Sequence, residues 1–435
     1  MNAYNPYDFV PFADHVERKT LSEWLHHGEL LSGYLTCKIK PLSPLCINPG
    51  RLFEKDAREV YIPGTSLKGM LRQLVSALSK SCAEFIDRDY WNTRVINEDG
   101  ITRIKEPGKE QYREIENYTI EYFVTHNRFE PKTDYADSES LACSHRNADN
   151  LQPQLCRTCY LFGYTSKTSS LAGRIRIIDS KPVNAVLIPK SILQLQTPRV
   201  YHWGFYFKGG QDKPIESQFP ALPGKPKENI FSSYPFDISD YTGSGKKPEI
   251  PKGHKIVRFQ NGVYNGRKFY RHSKDGKVKQ HEKKKPKDPP HQKIYVLEPT
   301  GVCFTQTIYF NKITGDDLGL LIFALSLKDQ GLRHKLGYAK PLGAGSVEIS
   351  NIELQLQSNA SHKEFNAKKT SGKSHTAYCD QFVGSSNITQ QPEFVALQKI
   401  WKWPGYEIAY PELSFFKKDN RHISLKQYNP EEDDA

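Results

Sequence analysis

The stretch CSHRNADNLQPQLCRTC places Cys143 and His145 ahead of Cys156 and Cys159, with ten residues between His145 and Cys156. Two soft donors, a spacer and a Cys-x-x-Cys knuckle suit a tetrahedral zinc site of three cysteines and one histidine. Protein ligands would fill all four positions, so the zinc is read as structural rather than catalytic. The other cysteines, Cys37, Cys46, Cys82, Cys303 and Cys379, are scattered singly.

A second chemistry is suggested by YIPGTSLKGMLRQLV, Tyr61–Val75. A Pro-Gly turn there feeds a helix whose first exposed residues are Ser66, Lys68 and Arg72. A helix N-terminus offers backbone N–H groups and the positive end of a dipole, and this cationic set makes it a receptor for phosphate. LGYAKPLGAGS adds glycines at 337, 343 and 345 around Lys340, where bare N–H groups can approach a phosphate or simply form a tight turn. The loop before the helix holds Glu54, Asp56 and Glu59. Its carboxylates suit a divalent cation or the activation of a 2′-hydroxyl, or else an ordinary solvated loop.

Periodicity indicates the elements that must hold these groups. Gly33–Ile47 alternates as a strand, with Tyr34, Thr36, Lys38 and Lys40 on one face and Leu35, Cys37 and Ile39 on the other. Leu67, Met70, Leu71, Leu74, Val75 and Leu78 form a helical stripe, with Thr65 as a candidate cap. Val302–Phe310 reads as a strand, Thr314 and Asp317 as a capping box, Leu318, Leu321, Ile322 and Leu325 as the stripe that follows, and Gly345–Leu356 as another strand. Two β-α-β units with an antiparallel sheet predict an α+β fold of the split βαβ, ferredoxin-like kind, with one sheet face free for RNA.

Composition narrows the partners. The 435 residues are 37% hydrophobic, mean hydropathy is −0.65, and no apolar run approaches the roughly 20 residues of a membrane span. With no signal-peptide pattern at the N-terminus, a cytoplasmic protein is expected. Lys246–Lys293 carries sixteen Lys and Arg against four acids, so its net charge equals the whole chain's +12. Such a block suits a polyanion, or forms a solvated basic loop. Within it NGRKFYRHS interleaves Arg267, Lys268, Tyr270 and Arg271 as a strand-like RNA-binding candidate. His254, His272, His281 and His291 lack metal spacing and are read as RNA-facing or solvated. The expected organisation is a discontinuous core over 1–200 and 299–357 with a zinc-binding insertion near 140–162. A basic insertion domain over 205–298 and a flexible linker with a docking C-terminal segment over 358–435 complete it.

YIPGTSLKGMLR resembles the I-P-G-[ST]-S-[LF]-[KR]-G-x-[LI]-R motif of the RAMP superfamily, the CRISPR-associated repeat proteins. CYLFGYTSKTSSLAGRIRIIDS resembles that family's L-F-G…G-R element, and LGYAKPLGAGSVEI is similar to its glycine-rich loop before the last core strand. The knuckle before LFG and the basic insertion resemble insertion-bearing backbone subunits of type III, particularly III-D, effector complexes. The resemblance implies a ferredoxin-like palm, related to the RNA-recognition fold, with large insertions and a zinc knuckle. It implies crRNA phosphates held by Ser66, Lys68, Gly69 and Arg72, with Lys340, Gly343 and Gly345 in the glycine loop. Complementary target RNA and other CRISPR effector subunits would be partners. Some members cut target RNA with an Asp in the loop after the first strand, using Mg2+ or a similar cation; Asp56 is the only aspartate here. Two further readings stay open: a stand-alone RAMP endoribonuclease that processes precursor crRNA, and an RNA-binding module outside CRISPR.

Overall fold

The computed structural model describes residues 3–26, 29–47, 60–82, 143, 153–165, 170–183, 185–193, 195, 205, 207–208, 255–257, 263–278, 291–357, 374–409 and 424–425, with the backbone of short strands between 95 and 131. Six elements make its centre: β1 (Leu31–Pro41), α1 (Gly64–Leu78), β2 (Ile175–Ile177), β3 (Cys303–Ile313), α2 (Gly315–Leu325) and β4 (Ser346–Leu356). The strands lie in the order β2-β3-β1-β4, every neighbouring pair antiparallel. Pro182–Val183 extends the β3 edge and His334–Lys335 pairs with β4.

The alternation expected in β1 is present. Leu35, Cys37 and Ile39 are buried, whereas Lys38 and Lys40 are exposed on the other face. The apolar stripe of α1 is buried along its whole length and packs against the sheet's inner face. Its start differs from expectation. Thr65 lies exposed within the first turn, and Pro63 is the boundary residue. The cap comes from elsewhere in the chain: Gly64 N–H donates to Asp179 Oδ1 at 2.8 Å. Proline's fixed φ presets the turn but brings no side-chain acceptor, so a distant carboxylate satisfies the helix end.

The capping box of α2 is formed, with Asp317 N–H donating to Thr314 Oγ1 at 3.1 Å and Thr314 N–H to Asp317 Oδ2 at 3.3 Å. Beyond the expected stripe, Leu320, Phe323 and Ala324 are also buried, because a helix at His375–Ser386 covers the far side of α2. A Cβ at Gly319 would stand 2.4 Å from Tyr378 O, so glycine permits this close approach. That helix lies within the 358–435 stretch, where a flexible linker is expected to lead into the docking segment, and gives part of that linker a fixed structure. Ser374 caps it, accepting from Ala377 N–H, and Phe382 anchors it.

The chain's ends and part of its basic segment close the core. Tyr7–Val10 pairs antiparallel with Arg267–Tyr270, and Pro392–Trp401 forms a helix that buries Phe394, Leu397, Ile400 and Trp401. Trp401 meets Phe269 edge to face at 5.2 Å. A ribbon of Leu187–Leu193 and His291–Leu297 gathers the two ends of the segment between them. Among the described residues, no helix is long and apolar enough to cross a membrane.

Candidate metal centre and nucleic-acid interface

Four sulfurs converge beneath the C-terminal end of α1. Cys82 follows that helix, Cys156 ends a short strand at Gln154–Cys156, and Cys159 lies in the helix Arg157–Phe162 that begins there. With Cys143 their Sγ atoms all lie within 4.8 Å of one another, and all four residues are buried. Cys82 Sγ is 3.7 Å from Cys159 Sγ and 3.6 Å from Cys156 Sγ. Zinc held tetrahedrally at about 2.3 Å from each thiolate requires sulfurs about 3.8 Å apart, so the donor set fits that ion.

Cys82 corrects the expectation that it is an isolated thiol. His145, expected as a ligand, lies outside the described residues. Three of the four sequence-expected positions are Cys143, Cys156 and Cys159, and Cys82 is the sulfur that spacing did not reveal. Burial opposes ionisation of Cys156, yet hydrogen bonds from Cys143, Cys159 and Cys82 hold its thiol well below the usual range.

Cations border the sulfurs. Burial draws the Arg18 guanidinium down, but Cys143, Cys82 and Cys156 outweigh it and the net shift is upward. Arg267 donates to Ser76 Oγ at 3.1 Å, to the Cys82 carbonyl at 3.1 Å, and to the Ser81 carbonyl. A zinc bound by four thiolates carries net negative charge, which these guanidinium groups complement. Packing fixes the knuckle from its other side. Trp24 stacks on Tyr160 with centroids 5.1 Å apart and donates to the Leu155 carbonyl at 2.9 Å. Arg157 pairs with the buried Asp317 of α2 at 3.2 Å.

The expected phosphate-binding residues of α1 lie on its less buried side. Ser66, Lys68 and Arg72 are half-buried and Gly69 is exposed with nothing within 4 Å of a Cβ built there. The helix start presses on the strand bearing the second motif: a Cβ at Gly64 would lie 2.1 Å from the Ile177 carbonyl, and Ile62 and Ser180 exchange backbone hydrogen bonds. Lys68 Nζ sits 3.1 Å from where a Cβ at Gly173 would be, so the GR element and the helix meet at this ammonium. Burial, then Arg72, pushes the Lys68 ammonium below its ordinary value.

The basic strand is joined to this helix, since Gln73 Nε2 donates to the Lys268 carbonyl at 2.7 Å. Its side chains divide. Arg267 and Arg271, expected to face RNA, turn inward instead. Arg271 is 1% exposed, pairs with Asp8 and lies over the rings of Tyr406 and Tyr4. His272, expected to be RNA-facing or solvated, is fully buried, with its ring nitrogens on Ser346 Oγ at 2.8 Å and the Arg333 carbonyl at 3.0 Å. Charge alone does not say which way a strand residue points, and here neighbouring carboxylates, carbonyls and aromatic faces claim the cations.

Lys268 and Lys340 share the Tyr270 ring, at 5.3 Å and 5.5 Å from its centroid. Burial pushes Lys268 down to about 7 and lowers Lys340 as well. The glycines beside Lys340 do not supply bare donors. Gly343 N–H donates to the Lys340 carbonyl and Gly345 N–H to the Pro44 carbonyl. Their backbones run at positive φ, and added Cβ atoms would strike the Lys277 and Leu336 carbonyls at 2.2 and 1.9 Å. Asp56, with Glu54 and Glu59, lies outside the described residues.

A family model for the RAMP superfamily matches residues 38–348, a span that runs from β1 into β4 and includes the α1 motif, the GR element and the glycine loop. The chain belongs to the RAMP superfamily. A comparison with curated proteins found no match. RAMP membership points to CRISPR-associated RNA binding, and the half-buried cations Lys68, Arg72 and Lys340 lie in segments the family match covers.

Proposed function

We propose that this RAMP protein is a crRNA-binding backbone subunit of a type III CRISPR surveillance complex. The strand order β2-β3-β1-β4 with βαββαβ connectivity suits a ferredoxin-like palm. In this reading Ser66, Lys68, Gly69 and Arg72 grip crRNA phosphates, with Lys340 and Lys268 extending the track. The four-cysteine centre holds a structural zinc that fixes the knuckle against α1. The observation that carries the reading is Lys68 set between Arg72 and Gly173, a cation held where two family motifs meet. The III-D assignment rests on the basic insertion, and cleavage of target RNA at Asp56 rests on the sequence alone.

The test is RNA binding by the purified chain across a salt series. Lys68→Ala and Arg72→Ala should each reduce the log–log salt slope by about 0.7, the value for one phosphate contact on a single strand. RNA recovered with the wild type should carry repeat-derived ends. Unchanged slopes in both variants would refute the assigned surface.

A further inference from the structure

Helices cover one face of the central sheet, and its other face has a composition unlike an apolar interface. The register aligns Arg176 of β2 with Tyr309 of β3, Tyr309 with Tyr34 of β1, and Tyr34 with Gln355 of β4. The next rows hold Thr307, Thr36 and Glu353, then Thr305, Lys38 and Ser350. Tyr309 is 43% exposed and Tyr34 half-buried, with ring centroids 5.7 Å apart and planes inclined at 50°. Arg176, Lys38 and Lys40 are exposed on this face. Of its acids, Glu348 is paired with Lys328 and Arg333, each at 2.9 Å, and Glu353 accepts from Thr36 Oγ1.

We propose that Tyr34 and Tyr309 form a base-stacking platform for single-stranded RNA on the open face of the sheet, with Arg176 and Lys38 meeting the flanking phosphates. The proposal rests on the RNA-binding reading above and adds a second contact surface, remote from α1. Three observations favour it. The two rings sit side by side on the two central strands, where successive unstacked bases can each find a π face. Arg176 flanks Tyr309 in the same row and Lys38 lies two rows from Tyr34 along β1, so cations stand at two edges of the ring pair, where phosphates flanking the stacked bases can reach them. The two central strands present Tyr, Thr and Lys on this face, and the exposed aliphatics Ile178 and Val183 are confined to its β2 edge, beside Thr307 and Cys303, away from the ring pair.

The experiment uses the full chain freed of nucleic acid and two labelled probes of equal length, an oligouridylate and an abasic ribose-phosphate oligomer. Tyr34→Ala with Tyr309→Ala should weaken oligouridylate binding by at least about fivefold per ring. Abasic binding and the salt slope should not change, since the phosphate contacts remain. Tyr34→Phe with Tyr309→Phe should bind as the wild type does. Tyr309→Trp should show fluorescence quenching by oligouridylate beyond that of the wild type, a readout that survives if the alanine variant fails to fold. The platform is overturned if a folded alanine variant binds oligouridylate at full strength, if both probes weaken equally, or if the substitutions change only self-association. It is equally overturned if Tyr309→Trp shows no quenching beyond that of the wild type. A wild type that binds neither probe would refute the RNA-binding reading together with the platform, whereas normal binding by the alanine variant refutes the platform alone.

Discussion

Arg267 donates a hydrogen bond to the backbone carbonyl of Cys82 across 3.1 Å, so a residue from the basic segment grips the peptide group of a metal-ligand candidate. The same guanidinium reaches Ser76 in α1. Helix, sulfur cluster and the strand Arg267–Tyr270 are therefore one mechanical unit. Arg267→Ala should cost about 1.5–3 kcal/mol in urea unfolding, the range for hydrogen bonds to a charged group. It should also loosen metal by roughly 10–100-fold in a chelator competition, as removal of a ligand's outer partner does. The RNA salt slope should stay at its wild-type value, because this guanidinium faces inward.

The metal set separates two candidate ligands. Elemental analysis should find about one zinc per chain, as a single four-thiolate site requires. Cys82→Ser should lower that ratio as far as Cys156→Ser does, and chelation should lower the thermal midpoint. His145→Ala should leave the ratio unchanged. A reversed pattern, with His145 needed and Cys82 dispensable, would overturn the four-sulfur assignment.

Lys335 makes stability depend on alkaline pH. It is 3% exposed, its ammonium donates to Ser346 Oγ at 3.1 Å, and burial, with help from Lys340, pushes it down to about 7. The unfolded chain keeps this group protonated to about pH 10.4. Between those values the unfolded state binds the extra proton, so stability rises with pH by no more than about 1.4 kcal/mol per unit. Below pH 7 the penalty of burying the charge is fully present. Unfolding midpoints from pH 7 to 9.5 should climb in the wild type and climb less steeply in Lys335→Met.

Asp56 carries the one catalytic expectation. If it supports cleavage, Asp56→Ala should abolish a metal-dependent cut in bound target RNA while crRNA binding persists, because a carboxylate beside a phosphodiester can hold the cation that activates the 2′-hydroxyl. Glu54→Ala is the comparison, since that carboxylate is close enough in sequence to substitute. An unchanged cleavage ladder from the Asp56→Ala complex would end the assignment.

Local periodicity made the central elements readable. The alternation of Leu35, Cys37 and Ile39, the α1 stripe and the Thr314–Asp317 box each involve neighbours in sequence, so their physics is written in adjacent letters. Features formed between distant segments were not readable. Cys82 stands 61 positions before Cys143 with no companion nearby, and Asp179 caps a helix that begins 115 positions earlier. The helix at His375–Ser386 was hidden because Phe382 is its only fully buried residue and the few apolar neighbours that pack with it, Tyr378, Cys379 and Val383, follow a Ser/Lys/Gln-rich stretch. The cations of Arg267–Arg271 were visible as charge, but their direction depended on Asp8, Ser76 and Tyr406, which only the fold brings near.

The sulfur cluster also has a topological effect. Cys82 and Cys143 bracket residues 83–142, and their Sγ atoms lie within 4.8 Å of each other, so that excursion leaves and rejoins the core at one point. A metal bound there would work as a clasp between the two ends of that segment, whatever its length. Because the entropy of closing a loop grows only with the logarithm of its length, the segment can lengthen, shorten or exchange its content at little cost to the sheet. Replacing 83–142 by a short Gly/Ser bridge should sacrifice the pairing of Tyr122–Thr125 with Lys255–Val257 and leave the core strands intact. Such a clasp would let one region of the chain change while the core sheet keeps its pairing.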